Sequence, residues 1–335
     1  MTRAAVFGGG SWGTAFSLVL ADAGTEVALW CRRPELCQAI NTVRLNPDYL
    51  PDIELPDAVR ATADPAEAAA GAELVVLAVP SQTLRQNLTA WVPVLPSGVV
   101  FVSLMKGIEL GTAKRMSEVI ADVVQAPPER VAVISGPNLA REIAERQPAA
   151  SVVASLDEGV AEHVQRACHS PAFRPYTNRD VVGTELGGTV KNVIALAVGI
   201  AGGLGFGHNS QASVITRGLA ETARLGAALG ADPFTFAGLA GLGDLVATCS
   251  SPLSRNRTFG EKLGRGQSVA QIAASTRQVA EGVKSCESVL DLANRHGVDV
   301  PIVEHVSYVV RGEMNPAQML ASLLSRTAKP ERHGH

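Results

Sequence analysis

The chain has 335 residues, enough for two domains with a sizeable core, and 46% of them are hydrophobic. The formal net charge is −3 with a pI near 6.2, so no basic face points to nucleic acid as a partner. The five cysteines, Cys31, Cys37, Cys168, Cys249 and Cys286, form no C-x-x-C pair and no metal-binding cluster is apparent, so buried reduced thiols and no metal are expected.

Met1-Thr2-Arg3 leads straight into an apolar run without a cleavage-site pattern, as in a soluble cytoplasmic protein with no membrane insertion. The uncharged stretch 192–207 is interrupted by glycines and reads as too short to span a bilayer. Buried parallel strands are predicted at 4–8, 26–30, 74–79, 99–103, 131–135 and 150–154. Helices are predicted between them at 11–23, 34–42, 81–91, 112–124, 138–145 and 157–168, several opened by a capping residue or proline. Such alternation makes an α/β, doubly wound, Rossmann-like sheet.

Gly8-Gly9-Gly10-Ser11-Trp12-Gly13 falls between the first strand and the first helix, the context in which G-x-G-x-x-G carries meaning. Gly8 permits the tight turn, Gly10 lets backbone approach a pyrophosphate, and Gly13 lets helix pack on strand. The alternative is an ordinary tight βα turn. The second strand ends near Cys31, where an NAD site usually places Asp or Glu on the ribose 2′-OH. Arg32-Arg33 stands there instead and suits a 2′-phosphate, so NADP is expected to bind at least as well as NAD; the alternative is a solvated basic pair. Lys106 lies just past the strand 99–103, outside the carboxyl end where open sheets bind ligands. Ser135-Gly136-Pro137-Asn138-Leu139-Ala140 repeats the sequence of strand end, glycine turn and helix start.

From Thr184 onward β-branched alternation nearly vanishes. Helices are predicted at 185–203, 209–229, 233–240, 255–264, 268–275, 281–295, 302–311 and 315–324. Residues 1–181 are read as a dinucleotide-binding domain and 182–335 as an all-α substrate-binding and catalytic domain, with a frayed polar tail. Lys191 stands at the start of a helix that is apolar on every side. Either its ammonium is buried with a lowered pKa, as suits a general base, or it snorkels from a helix end. Gly238–Val246 places Asp244 after a glycine-rich apolar turn, and Ser254-Arg255-Asn256-Arg257 clusters hydroxyl, amide and guanidinium groups suited to a phosphate.

Taken together, Gly8–Thr14, Lys106–Glu109, Ser135–Pro137, Leu186–Ala195, Ile215–Glu221, Gly241–Leu245, Ser254–Arg257 and Val279–Gly282 resemble the bacterial-type NAD(P)-dependent glycerol-3-phosphate dehydrogenases, in family order across nearly the whole chain. The resemblance implies reversible reduction of glycerone phosphate to sn-glycerol 3-phosphate with NADP(H) or NAD(H), feeding phospholipid synthesis. It implies Lys191 as proton acceptor and Lys106 in contact with both substrate and cofactor. Gly136, Asn138, Asp244, Ser254, Arg255 and Asn256 would contact substrate. Ser11, Trp12, Arg32, Arg33, Ala140, Arg255, Val279 and Glu281 would line the nucleotide, with Tyr49 flanking the adenine. Asn138 departs from the Ser or Thr more usual there. All-α second domains of this sort often pair, so a homodimer is expected. Two rival readings stand beside this one: a β-hydroxyacid or 6-phosphogluconate-type dehydrogenase, and a nucleotide sensor without turnover.

Overall fold

The computed structural model describes residues 2–275 and 281–327, so Val279 and the polar tail expected to fray lie outside the described residues. Among the described residues the chain forms eight strands: β1 (Arg3–Phe7), β2 (Glu26–Trp30), β3 (Val59–Thr62), β4 (Leu74–Leu77), β5 (Val100–Ser103), β6 (Val131–Ser135), β7 (Ala149–Ser155) and β8 (Phe173–Asn178). They lie in one sheet in the order β3-β2-β1-β4-β5-β6-β7-β8. The order reverses between β1 and β4, the switch point at which such sheets open a ligand crevice. Alternation along β1 sends Ala4 and Val6 into one core and Ala5 and Phe7 into the other, so both faces of the sheet are covered.

The first face carries α1 (Ser11–Asp22), α2 (Pro34–Val43), α6 (Ala140–Ala144) and α7 (Glu158–Cys168), whose Phe16, Leu18, Ile40, Ile143 and Val164 meet Val6, Leu29, Val76 and Ile134. The other carries α3 (Pro65–Ala69), α4 (Leu84–Trp91) and α5 (Met116–Val124), where Leu84, Trp91, Val119 and Ile120 pack on Phe7, Val75 and Leu77.

Three expectations are corrected here. The run expected as a parallel strand at 150–154 becomes β7, which is parallel to β8 but antiparallel to β6. The intervening segment holds only the five-residue α6, which packs beside α1 and provides no crossover helix across the sheet. The helix expected at 112–124 begins at Met116, because Ile108 and Arg115 form a β-bridge and Ala113 turns left-handed at φ 58°. The helix expected from Asn138 begins at Ala140. β3 and β8 are edge strands without an apolar run, and β8 contains Pro175, which only an edge tolerates.

Beyond β8 the chain is helical: α8 (Val181–Gly203), α9 (His208–Ala228), α10 (Pro233–Ala237), a π-turn at Leu239–Gly243, α11 (Asp244–Ser250), α12 (Arg255–Gly264), α13 (Val269–Ala274), α14 (Glu281–Arg295), α15 (Pro301–Arg311) and α16 (Pro316–Leu324). α8 is the axis of this half, surrounded by α9, α11, α12, α14 and α15. Asp180 caps it by accepting from Gly183 N at 2.8 Å. With 23 residues it is long and apolar enough to cross a membrane, unlike the expectation for this stretch, but its apolar window is 89% buried inside the protein. It instead packs against α12 backbone to backbone. A Cβ on Gly199 would stand 2.1 Å from Arg257 O, and one on Gly260 would stand 2.2 Å from Leu196 O. Gly203 and Gly264, one turn further along each helix, touch in the same way.

Glu185 ties α8 to the sheet half. Its carboxylate accepts from Arg115 Nη1 at 2.7 Å, Ser117 N at 2.8 Å and Ser117 Oγ at 2.6 Å. All five cysteines are buried and unpaired, as expected.

Candidate active site

The glycine turn is shaped by contacts that admit no side chain. Gly8 has φ +135°, and a Cβ there would stand 2.5 Å from Ala78 O; a Cβ on Gly13 would stand 1.9 Å from Gly8 O. Around Gly10, by contrast, nothing lies within 4 Å of the Cβ position, so the turn opens on that side. Gly10 N-caps α1 without a side chain to take the first-turn amides at Ser11, Trp12 and Gly13. Trp12 packs edge-on against Phe16 and leaves its indole N–H buried and without a hydrogen-bond partner. Open amides at a helix start, a cradle closed to side chains and an unused donor fit a dinucleotide pyrophosphate.

At the end of β2, Arg32 and Arg33 are both exposed. Arg33 pairs with Asp48, and Tyr49 lies in the same turn. Asn46, fully buried, donates through Nδ2 to Gly9 O at 3.1 Å and Thr14 Oγ1 at 2.8 Å, which fastens that turn to the glycine loop. Neither Asn46 nor Asp48 stands out in the sequence, because nothing local shows a loop beyond α2 returning to the first βα unit. Ala140, the first residue of α6, reaches the same region through the packing of α6 on α1.

The second part of the site joins β5, β6, α8 and α11. Lys191 is 8% exposed and lies in the middle of α8 rather than at its start, which rules out snorkelling from a helix end. Its Nζ donates to Asp244 Oδ1 at 2.5 Å and Thr248 Oγ1 at 2.6 Å. Lys106 Nζ donates to the other carboxylate oxygen, Oδ2, at 2.5 Å and to Gly136 O at 3.0 Å. One carboxylate, itself 1% exposed, thus bridges two largely buried ammonium groups. Burial pushes Lys106 down to about 8, with Asp244 opposing the fall and Lys191 adding to it.

The π-turn aims Asp244. A Cβ on Gly187 would stand 2.4 Å from Ala240 O, so the turn lies directly on α8. α11, where no helix is predicted from the sequence, starts at Asp244 and places Thr248 one turn later on the same face. π-Turns of this kind often mark functional positions.

Asn256 Nδ2 donates to Asn192 Oδ1 at 2.9 Å, and its Oδ1 accepts from Gly282 N at 2.9 Å. Ser254 caps α12 by accepting from Arg257 N, which leaves Arg255 exposed at the start of the helix. Burial raises Glu281 above the usual carboxylate range, against the pull of Arg255, Lys106 and Lys191. Those four charges therefore share one neighbourhood. Asn138 gives its Nδ2 to Ser151 Oγ at 3.0 Å, which keeps its oxygen for other use. Asn138 Oδ1, Asn192 Nδ2 and Ser135 Oγ are buried with no partner among the described residues. Leaving a buried polar atom unpaired costs about 1–3 kcal/mol, so three such atoms around one carboxylate and two ammonium groups suit a polar ligand. Among the described residues no cluster of metal-ligating side chains occurs. Of the site residues expected from the sequence, Lys106, Gly136, Lys191 and Asp244 meet at the bridge, with Glu281 within electrostatic reach of both lysines.

The comparisons with known proteins agree with this geometry. Residues 3–161 match the N-terminal family of NAD-dependent glycerol-3-phosphate dehydrogenase, and residues 180–321 match the C-terminal one. The chain is 67% identical over 330 residues to a glycerol-3-phosphate dehydrogenase (NAD(P)+) of Streptomyces griseus, covering 98% of both chains. It is 64% identical over its full length to the one of Thermobifida fusca, again covering all of that chain. The crystal structure of a glycerol-3-phosphate dehydrogenase from Coxiella burnetii superposes with a TM-score of 0.92 at 36% identity, covering 97% of this chain and 99% of that one. A D-mandelate dehydrogenase, 14% identical with a TM-score of 0.61, shares the fold alone. With both halves matched in order and such relatives alike over nearly their whole length, the chain belongs to the NAD-dependent glycerol-3-phosphate dehydrogenase family.

Proposed function

We propose that this protein interconverts glycerone phosphate and sn-glycerol 3-phosphate with NADP(H) or NAD(H), for phospholipid synthesis. The observation that carries this reading is the bridge Lys106–Asp244–Lys191, which joins the carboxyl end of the nucleotide sheet to the core helix of the second half. The division into domains is placed at about residue 181, where α8 begins.

The nicotinamide, when bound, supplies or accepts the hydride at C2. Lys191 handles the proton. A neutral amine has two N–H donors and one lone pair. Asp244 and Thr248 accept two N–H groups from Lys191, so the lone pair remains for the C2 hydroxyl proton. In reduction the same nitrogen, as ammonium, polarises the carbonyl and returns the proton. Asp244 holds the amine in place and stabilises its charged form. Lys106 adds positive charge for the anionic substrate and contacts the cofactor. Gly136, Asn138, Ser254, Arg255 and Asn256 complete the substrate site, and binding of the phosphate there orients C2. Gly8, Gly10, Ser11, Trp12, Gly13, Arg32, Arg33, Tyr49, Ala140, Val279 and Glu281 hold the nucleotide, together with Lys106 and Arg255.

The test is oxidation of NADPH with glycerone phosphate, repeated with NADH. Lys191→Ala should abolish turnover while NADPH still binds, and wild-type turnover in that variant refutes the assignment. Cytoplasmic location and a homodimer belong to the same proposal. Unpaired buried thiols support the first, and sedimentation of the purified protein tests the second.

A further inference from the structure

Strand β2 ends in two arginines where many dinucleotide sites carry an acid, yet a carboxylate does reach this place from another part of the chain. Asp48 pairs with Arg33, both half-exposed. Asp48 is held firmly. The turn Pro47–Tyr49 is closed by Leu50 N donating to Asn46 O at 2.9 Å, and Asn46 is buried and bonded to Gly9 and Thr14. Arg44 closes the base of the same loop, taking Leu55 O and Val59 O, each at 3.0 Å. The acid is therefore placed by the glycine turn itself rather than by a free loop.

We propose that Asp48 is a specificity-determining residue that restrains the preference for the 2′-phosphorylated nucleotide. The inference rests on the cofactor site described above. A 2′-phosphate at Arg32-Arg33 brings about two negative charges to a guanidinium already engaged by a carboxylate. It must displace Asp48 from Arg33 or share the guanidinium with a like-charged neighbour. A ribose 2′-OH meets neither obstacle. NADP(H) thus binds less tightly than two unopposed arginines would allow, and NAD(H) stays usable. Because the pair is half-exposed, the effect is a few-fold and shrinks with added salt.

The experiment is calorimetric binding of NADPH, NADH and adenosine 2′-monophosphate to the full-length protein, wild type and Asp48→Asn. Asparagine keeps the size of the side chain and removes its charge. The expected result is affinity for NADPH and adenosine 2′-monophosphate about threefold to fivefold higher at low salt, with no gain for NADH. In an Arg33→Ala background that gain should vanish. Unchanged or weaker binding of the phosphorylated ligands would mean that Asp48 merely preorders Arg33 and would overturn the proposal. A gain that persists without Arg33 would overturn it too. If the wild-type protein binds neither nucleotide, the cofactor site itself is wrong, a failure distinct from any change in the ratio.

Discussion

Asp244→Asn tests the bridge most directly. The substitution keeps the shape and removes the charge that two ammonium groups share. Each charge-assisted hydrogen bond lost is worth about 1.5–3 kcal/mol, so the two together remove roughly 3–6 kcal/mol from the organised site. Without the carboxylate the main opposition to the burial that lowers Lys106 is gone, and its pKa moves below its present value of about 8. At neutral pH Lys106 then carries less charge, which weakens its hold on the substrate anion. At about 1.4 kcal/mol per decade, kcat/KM for glycerone phosphate should fall by roughly a hundredfold to ten-thousandfold. Initial rates from reduced-nicotinamide absorbance measure the loss, and NADPH binding with urea unfolding shows whether the variant is folded. A folded variant whose kcat/KM stays within about threefold of wild type would refute the reasoning.

Lys106 should also govern the alkaline limb of the wild-type profile. Below about pH 8 it is charged and above it is neutral, so kcat/KM should fall through that pH, and Lys106→Arg should move the limb upward. Asn46→Ala removes two hydrogen bonds to the glycine turn from a fully buried position; NADPH should bind about tenfold more weakly and stability should drop by about 2 kcal/mol, read by calorimetry and urea unfolding. Glu221 accepts from the Ile302 and Val303 amides, and burial pushes it up to about 7. The folded chain therefore holds a proton there that the unfolded chain releases from about pH 4.5 upward. Stability should fall between about pH 4.5 and 7 relative to Glu221→Gln by about 2–3 kcal/mol, and parallel urea midpoints across that range would contradict the assignment.

What the sequence disclosed was whatever local pattern governs. β1, the glycine turn and α1 are contiguous, and Gly8 and Gly13 each have a steric reason. α8 announced itself by a long apolar run around one lysine, although its true start at Val181 hid how deep in the helix Lys191 sits. α11 escaped notice because Gly238 to Gly243 reads as a turn. Only packing of the Ala240 carbonyl against Gly187 shows why the segment winds into a helix. Thr248 went unnamed for that reason, being visible only once Asp244 starts a helix. β8 was masked by Pro175 and by exposed alternate positions. Asn46 and Asp48 depend on tertiary return of a loop, which no periodicity records.

The glycine contacts between α8 and α12 set a fixed gauge. One helix carries Lys191, proposed to take the proton, and the other begins with the residues proposed for the phosphate. Since the two main chains touch without intervening side chains, neither can slide or tilt to suit a different ligand. The spacing between the two sets of residues is thereby built into the polypeptide itself.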